Sequence, residues 1–297
     1  MQTYTKINTL YKRFQNIGKE QLPNPEWKKF QNIIYKDSYS KPCFEYLKDN
    51  LWECYSKIDG TNSKIAYYPS TGKIKVGGKT NNSQSQSGQF EFLQAIAERI
   101  LPQLKEMYPS ECAVFTPVMN PETSRPFYYL EDELVDKPTK ASKYILEYEE
   151  APIYIYGEYY GKSIKKVGGK YRDDNDFVVF DICQQGWYLP SKMRNDICIK
   201  LGLNQVPYLG IMTLSDAEKI VTEGFKTRLQ AKDPTLIEEG IVARPTTLIK
   251  DEHGNRIIVK IKTCDYAKLK DVRHQFSNDE YDKFVDWYVE NIESKIE

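Results

Sequence analysis

This sequence is poor in histidine and lacks paired cysteines, long apolar runs and any excess of one charge. It has two histidines among 297 residues, and its six cysteines are scattered without a CxxC pair, so a structural zinc site is not expected. No apolar run reaches membrane-spanning length, and the first residues lack the apolar stretch of a signal peptide. Reduced thiols and these absences predict a cytoplasmic protein without a membrane partner.

The charge balance limits the possible functions. Lysine and arginine together number 42, as do aspartate and glutamate, so the formal net charge is zero. A protein that simply coats nucleic acid is expected to be strongly basic, and this composition argues against that role. The balance is compatible with a local basic groove, whose binding to nucleic acid would be modest and sensitive to salt.

The hydrophobic pattern predicts antiparallel strands with helices between them, which is an α+β fold. Seven strands are expected. The first two, residues 52–59 and 63–68, flank a turn at residues 60–62. The five later strands are residues 73–76, 153–158, 177–182, 237–243 and 256–262. The apolar spacing of residues 89–107 predicts a helix, with Pro102 a candidate for a kink or an end. Two more helix starts are predicted from capping-box spacing, in the pairs Ser215 with Glu218 and Ser277 with Glu280.

Four short segments place charged residues on or beside predicted strands. They are residues 57–62 (KIDGTN), 156–161 (YGEYYG), 238–244 (EEGIVAR) and 259–262 (VKIK). Each alone has an ordinary interpretation, since a lysine beside a hairpin turn or on an alternating strand is usually a solvated surface residue. Their occurrence together, in this order and on strands, favours one shared chemical site.

Lys57 is the candidate nucleophile in this set. A lysine amine attacks poorly while protonated and becomes usable where nearby cations and partial burial lower its pKa. Lys260 and Lys262 alternate with apolar residues, so both are expected on one face of a strand, placed to hold triphosphate oxygens and to disfavour a proton on Lys57. Glu158 and Glu239 add carboxylates, one suited to a ribose hydroxyl and the other to a metal. This chemistry favours nucleotidyl transfer, which needs in-line positioning and charge neutralisation by Mg²⁺.

In these motifs the chain resembles the covalent nucleotidyltransferase superfamily of ATP-dependent ligases and capping enzymes. It is most similar there to ATP-dependent RNA ligases of the RNA ligase 2 type, which seal nicks in double-stranded RNA. The resemblance covers roughly residues 52–262 and implies an α+β, ATP-grasp-like adenylation fold of antiparallel sheets with flanking helices. It also implies ATP and Mg²⁺ or Mn²⁺ as cofactors, a lysyl-AMP intermediate, and RNA with a 5′-phosphate and a 3′-hydroxyl, as a nicked duplex or a broken strand, as the partner.

The resemblance assigns roles to individual residues. The implied catalytic residues are Lys57, which receives AMP, Glu239, which also holds the metal, and the phosphate-binding Lys260 and Lys262. The implied nucleotide contacts are Ser56, Lys57, Ile58, Asn62, Lys79, Glu158 on ribose, Phe180 on adenine, Glu239, Val242, Lys260 and Lys262. The implied RNA contacts are Asp59, Asn62, Asp181 and Arg244. Lys79 stands where the family usually has arginine. Phe180 as a core residue and Asn62 as a turn residue are the open alternatives.

Two regions lie outside those motifs. A basic segment with Lys165 and Lys166 follows the Glu158 strand and is a second candidate for RNA contact, the alternative being a solvated loop. The 35 residues after Lys262 are too few for an OB barrel and predict a short helical extension at 266–297, after a nucleotidyltransferase domain at 1–265. A monomer is expected. A DNA ligase, a guanylyltransferase and a non-catalytic nucleotide- or RNA-binding module are the alternatives for function.

Overall fold

The fold is that of a computed structural model, which describes residues 4–79, 88–131, 133–135, 137, 139–140, 142, 147–162 and 164–295. The strands, in chain order, are β1 (Asn8–Thr9), β2 (Tyr11–Arg13), β3 (Ile34–Tyr39), β4 (Trp52–Ser56), β5 (Thr61–Tyr68), β6 (Lys73–Gly78), β7 (Val114–Pro117), β8 (Tyr128–Leu130), β9 (Glu133–Val135), β10 (Tyr148–Ala151), β11 (Ile153–Gly161), β12 (Asn175–Gln184), β13 (Trp187–Tyr188), β14 (Asn204–Gln205), β15 (Tyr208–Met212), β16 (Gly240–Pro245) and β17 (Val259–Lys262). The α-helices are α1 (Pro42–Tyr46), α2 (Gln89–Met107), α3 (Gly168–Tyr171), α4 (Ser191–Leu201), α5 (Leu214–Glu223), α6 (Thr263–Gln275) and α7 (Asn278–Asn291).

The chain forms two compact units. The first unit contains Tyr4, Gly60–Gly168 and Asp174–Gln205, and the second contains Thr5–Asp59, Gly169–Asp173 and Val206–Glu297. None of the helices in the described ranges is long and apolar enough to cross a membrane.

A five-stranded sheet organises the second unit. Its order is β1-β17-β16-β4-β15, with β1 parallel to β17 and the other neighbours antiparallel. Side chains alternate along these strands, so one face is apolar and fully buried, with Trp52, Cys54, Ile241, Ala243, Val259 and Ile261. The other face, called here the outer face, receives Glu53, Tyr55, Val242, Arg244, Lys260 and Lys262. This alternation directs the charged residues of three motif strands to one side.

Helices of the second unit cover the apolar face. The predicted capping box at Ser277 is confirmed, and α7 buries Phe284 in the same cluster as the sheet. The prediction of a helix start at Ser215 is wrong, because Thr213 is the N-cap of α5 and its hydroxyl accepts the Asp216 amide at 3.1 Å. Thr213 and Asp216 are three positions apart, as Ser215 and Glu218 are, but lie two residues earlier in the chain. Starting there includes Leu214 in the helix, on the same buried face as Ala217 and Val221.

A six-stranded sheet organises the first unit. Its order is β13-β12-β11-β5-β6, and β14 runs parallel to β12. Helix α2 packs its buried stripe, Leu93, Ala97, Ile100 and Leu104, against one face of the sheet together with α4. Pro102 lies inside α2 and does not end it. The pairing of β11 with β12 shifts register between Tyr156 and Gly157, which leaves Phe180 as the extra residue of a β-bulge.

The predicted α+β class with antiparallel sheets and a helical C-terminal region is confirmed. Residues 266–295 fall within the second unit and share its core, since α6 and α7 contribute Leu269, Tyr281 and Phe284 to the apolar cluster. The proposed domain boundary at residue 265 stays a prediction.

Candidate active site

Lys57 lies directly after β4, at the point where the motif loop begins. Its amide donates to the Gly240 carbonyl at 2.9 Å, which fixes the loop to the start of β16. Its Nζ lies 2.5 Å from Glu239 Oε2, and Lys262 Nζ lies 2.9 Å from Glu239 Oε1. One carboxylate therefore binds two lysines. The three side chains are 16–27% exposed, so the cluster is partly shielded from water but reachable.

The pKa of Lys262 reflects this arrangement. Burial lowers the pKa of Lys262, but the hydrogen bond and the negative charge of Glu239 raise it by more, so the net shift is upward. Lys262 is thereby held as a cation beside Lys57. A cation in that position is suited to bind phosphate oxygens, as the sequence predicts for this residue.

Glu238 and Glu239 are adjacent but have different environments. Glu238 is 1% exposed, burial raises its pKa, and Thr227 Oγ1 donates to its Oε2 at 2.9 Å. Glu239 turns toward Lys57 and Lys262. The two neighbouring carboxylates thus have different partners, so Glu239 is the carboxylate available for chemistry and Glu238 supports the fold.

Lys260 and the smaller residues of the motifs lie close by on the second unit. Lys260 is half-buried on the outer face, opposite Val242, as the alternation in β17 predicts. Ser56 and Ile58 are buried on either side of Lys57. The Asp59 amide donates to Tyr171 Oη at 3.4 Å, so the loop is also held at its far end.

Arg244 has partners that the sequence did not reveal. It is 8% exposed, its Nε donates to Glu53 Oε2 at 3.1 Å, and its Nη2 donates to Tyr55 Oη at 3.2 Å. The guanidinium also lies 4.9 Å from the centre of the Tyr55 ring. The charge of Arg244 is thus paired with Glu53 within the second unit. A role in RNA contact stays a prediction for this residue.

Glu158 and Asn62 are cross-strand partners in the first unit, on β11 and β5. The Asn62 side-chain oxygen is buried and has no hydrogen-bond partner. Gly60 packs so closely on β11 that an added Cβ would lie 2.5 Å from the Tyr159 carbonyl oxygen and 2.7 Å from Glu158 Cγ. The motif glycine is therefore required by close approach to the strand that bears Glu158.

Phe180 and Asp181 are held by two residues that sequence reasoning missed. Tyr4 Oη donates to Asp181 Oδ2 at 2.5 Å, and the Tyr4 ring lies 5.0 Å from the ring of Phe180 in an edge arrangement. Arg194, 1% exposed, donates to the Phe180 carbonyl at 2.8 Å. Phe180 itself is half-buried. Both contacts are remote in sequence, so no local pattern could have shown them.

The remaining predicted residues are exposed lysines. Lys79 follows β6 and is exposed, while Lys165 and Lys166 are exposed in the turn after β11, with Lys165 at a φ of 59°. Each is accessible to a ligand. The structure shows no partner-specific geometry for them, so their roles rest on the sequence.

The residues present fit a nucleotide and a metal held jointly. No group of three or more His, Cys, Asp or Glu side chains among the described residues is arranged to hold a metal by itself. Mg²⁺ is commonly bound by one or two carboxylates together with substrate phosphates. Within the second unit, the single Glu239 carboxylate beside two lysines suits that shared mode.

The sequence profile of the RNA ligase family matches residues 51–262, which is most of the chain. The chain belongs to the RNA ligase family. The matched range begins just before β4 and ends at Lys262, so it includes all four motif segments of this RNA ligase family member. Its fold is the nucleotidyltransferase fold of that family.

Solved structures with a similar fold include variants of an RNA ligase from Naegleria gruberi. A lysine-to-alanine variant with ATP and Mn is 14% identical, with a TM-score of 0.49, and the match covers 76% of this chain and 53% of that one. An aspartate-to-alanine variant without ligand is 16% identical, with a TM-score of 0.48, covering 77% and 54%. The chain thus spans about half the length of these structures. No curated protein matches the chain.

Proposed function

We propose that this protein is an ATP-dependent RNA ligase that forms a lysyl-AMP at Lys57 and joins a 5′-phosphate RNA end to a 3′-hydroxyl. The observation that supports this most is the Lys57–Glu239–Lys262 cluster, in which the motif lysine and a second cation meet on one carboxylate. A reactive amine, an acceptor for its proton and a cation for phosphate are the groups that nucleotidyl transfer requires.

In the first step, Lys57 Nζ attacks the α-phosphorus of ATP. A P–N bond forms, the bond to the β-phosphate oxygen breaks, and pyrophosphate leaves with the electron pair. The ammonium has no lone pair, so Lys57 must lose a proton first, and Glu239 Oε2 at 2.5 Å is within reach to accept it. Lys262 and Lys260 neutralise phosphate charge from the same strand face.

A divalent metal belongs to the same proposal. Glu239 would hold Mg²⁺ or Mn²⁺, which would supply charge neutralisation and orientation of the nucleotide phosphates. Glu158 is proposed to bind the ribose and Phe180 to stack on adenine. Asn62 has the free acceptor for a hydroxyl.

In the later steps, AMP passes to the 5′-phosphate of RNA, which frees Lys57. The 3′-hydroxyl then attacks the activated phosphate, forms the phosphodiester and expels AMP. We propose RNA with a 5′-phosphate and a 3′-hydroxyl, as a nicked duplex or a broken strand, as the substrate, with a monomeric enzyme acting in the cytoplasm. Asp59, Asp181 and the exposed pair Lys165 and Lys166 are proposed to contact the RNA.

The proposal is tested by incubating the protein with α-labelled ATP and Mg²⁺, followed by denaturing electrophoresis. The wild type should retain the label, and Lys57→Ala should not. Lys270→Ala removes an exposed lysine of α6 outside the proposed site and should label like the wild type. Label on Lys57→Ala, or none on the wild type, would reject the proposal.

Substrate identity is tested separately. Labelling with GTP in place of ATP distinguishes a ligase from a guanylyltransferase. Sealing of matched RNA and DNA nicks then distinguishes an RNA ligase from a DNA ligase. The proposal expects ATP and a nick with RNA strands to be preferred.

A further inference from the structure

Four side chains form one row across the outer face of the second unit's sheet. Lys260 on β17 is the cross-strand partner of Val242 on β16, and Val242 is the partner of Tyr55 on β4. Tyr55 is in turn the partner of Tyr208 on β15. Directly opposed residues of neighbouring strands lie on the same face. Tyr208 therefore shares its face with the proposed phosphate-binding lysine, three strand positions away. With strands about 4.8 Å apart, that separation is about 14 Å.

Tyr208 ends this row at the open edge of the sheet, on β15. Its side chain is 48% exposed although its ring contacts the Tyr55 ring, with centroids 5.3 Å apart at an angle of 50°. Tyr55 is 5% exposed and is held by Arg244, which Glu53 binds in turn. The exposed ring thus rests on a rigid, buried support. A ring held in this way loses little conformational entropy when a ligand stacks on it.

A cation lies next to the Tyr208 ring. Arg228 is exposed, and its Nη1 donates to the Tyr208 carbonyl at 3.4 Å, which places the guanidinium beside the sheet edge. The nearby negative charge of Glu53 is neutralised by Arg244 at 3.1 Å. An exposed aromatic face with an adjacent arginine is the combination that binds single-stranded nucleic acid, by base stacking and by phosphate contact.

We propose that Tyr208 stacks on an unpaired base of the RNA substrate a few nucleotides from the joint, and that Arg228 contacts the phosphate beside it. The inference rests on the proposed function, because Lys260 marks the joint only if it binds the nucleotide. About 14 Å corresponds to roughly four stacked nucleotides at about 3.4 Å each. Arg244 then acts as a positioning residue that holds the Tyr55 support, which explains its burial in this RNA ligase family member.

The test measures binding of a fluorescein-labelled, 5′-phosphorylated RNA oligonucleotide by anisotropy, which does not depend on catalysis. Tyr208→Ala should weaken binding about fivefold to about a hundredfold, the range seen when one stacking aromatic is removed. Tyr208→Leu keeps apolar bulk without a π face and should also weaken it, whereas Tyr208→Trp should bind like the wild type. Tyr46→Ala is the matched control, since Tyr46 is 88% exposed on α1 of the same unit and should not matter.

Self-adenylylation with labelled ATP separates the possible failures. All Tyr208 variants should form lysyl-AMP like the wild type, because that step needs no RNA. Wild-type binding by Tyr208→Ala or Tyr208→Leu would overturn the inference and leave the ligase proposal intact. Loss of self-adenylylation in the Tyr208 variants would also overturn it, in favour of a structural role. A wild type that forms no lysyl-AMP would reject the ligase proposal itself. The anisotropy assay would still show whether Tyr208 contributes to RNA binding.

Arg228→Ala tests the phosphate contact. Binding should weaken, and the slope of log affinity against log salt should fall by about one unit, as expected for one lost phosphate contact. An unchanged slope would overturn this part of the inference.

Discussion

Gly60 provides a direct test of how the nucleophile motif is held. Its backbone approaches β11 so closely that the Cβ of alanine would lie 2.5 Å from the Tyr159 carbonyl oxygen. That oxygen belongs to a paired strand and cannot rotate away, unlike the end of a side chain. Gly60→Ala must therefore move the loop or the strand by several tenths of an ångström.

The expected cost follows from this contact. Overpacking by one methyl group against rigid neighbours usually costs about 1–3 kcal/mol. For a domain of this size each kcal/mol lowers Tm by about 2–4 °C, so Gly60→Ala should lower Tm by roughly 2–12 °C. The second contact of the added Cβ is Glu158 Cγ at 2.7 Å, so the proposed ribose ligand is displaced as well. The KM for ATP in self-adenylylation should rise.

Thermal denaturation and initial rates of labelling measure the two effects. Gly169→Ala is the control, because its added Cβ meets nothing within 4 Å and should leave both Tm and KM unchanged or slightly raise Tm. A Gly60→Ala protein with wild-type Tm and wild-type KM would refute the reasoning. It would show that the close approach to β11 is not needed.

Three further predictions follow from the charged residues. Glu239→Gln should slow self-adenylylation on the order of a hundredfold or more, since the proposed proton acceptor is lost. The pKa of Lys262 is raised in the folded protein by Glu239. The stability that the Lys262–Glu239 ion pair contributes is therefore present below the ordinary lysine pKa of about 10.4 and is lost as the pH rises through the raised pKa. The Tm difference between the wild type and Glu239→Gln should be constant from about pH 7 to 9 and should shrink above about pH 10.4. Replacing Lys165 and Lys166 together by serine should weaken RNA joining and its salt dependence while sparing self-adenylylation, and loss of both activities would contradict a role in RNA contact.

Regular patterns in the sequence predicted much of the fold. Alternation in β17 correctly placed Lys260 and Lys262 on one face, and the apolar spacing of α2 gave its bounds at Gln89 and Met107. The capping box at Ser277 was also read correctly. These features depend on neighbours a few residues apart, which is the range over which hydrophobic periodicity and capping act.

Contacts between distant residues were not predictable in the same way. Tyr4 meets Asp181 across 177 positions, and Arg244 meets Glu53 across 191. Such pairs depend on strand order and register, which one sequence does not specify. The same limit applies to Lys57 and Glu239, whose direct ion pair was not expected, although both residues were identified. The cations were expected to disfavour a proton on Lys57, and the structure adds a carboxylate that binds it.

Locating the AMP on the protein would test the central claim most directly. The wild type would be incubated with ATP and Mg²⁺, digested, and analysed by mass spectrometry for the modified peptide. AMP should be found on Lys57, linked through Nζ, and Lys57→Arg should show no modified peptide. AMP on a different lysine, or an unmodified wild type under conditions in which RNA is sealed, would contradict the account.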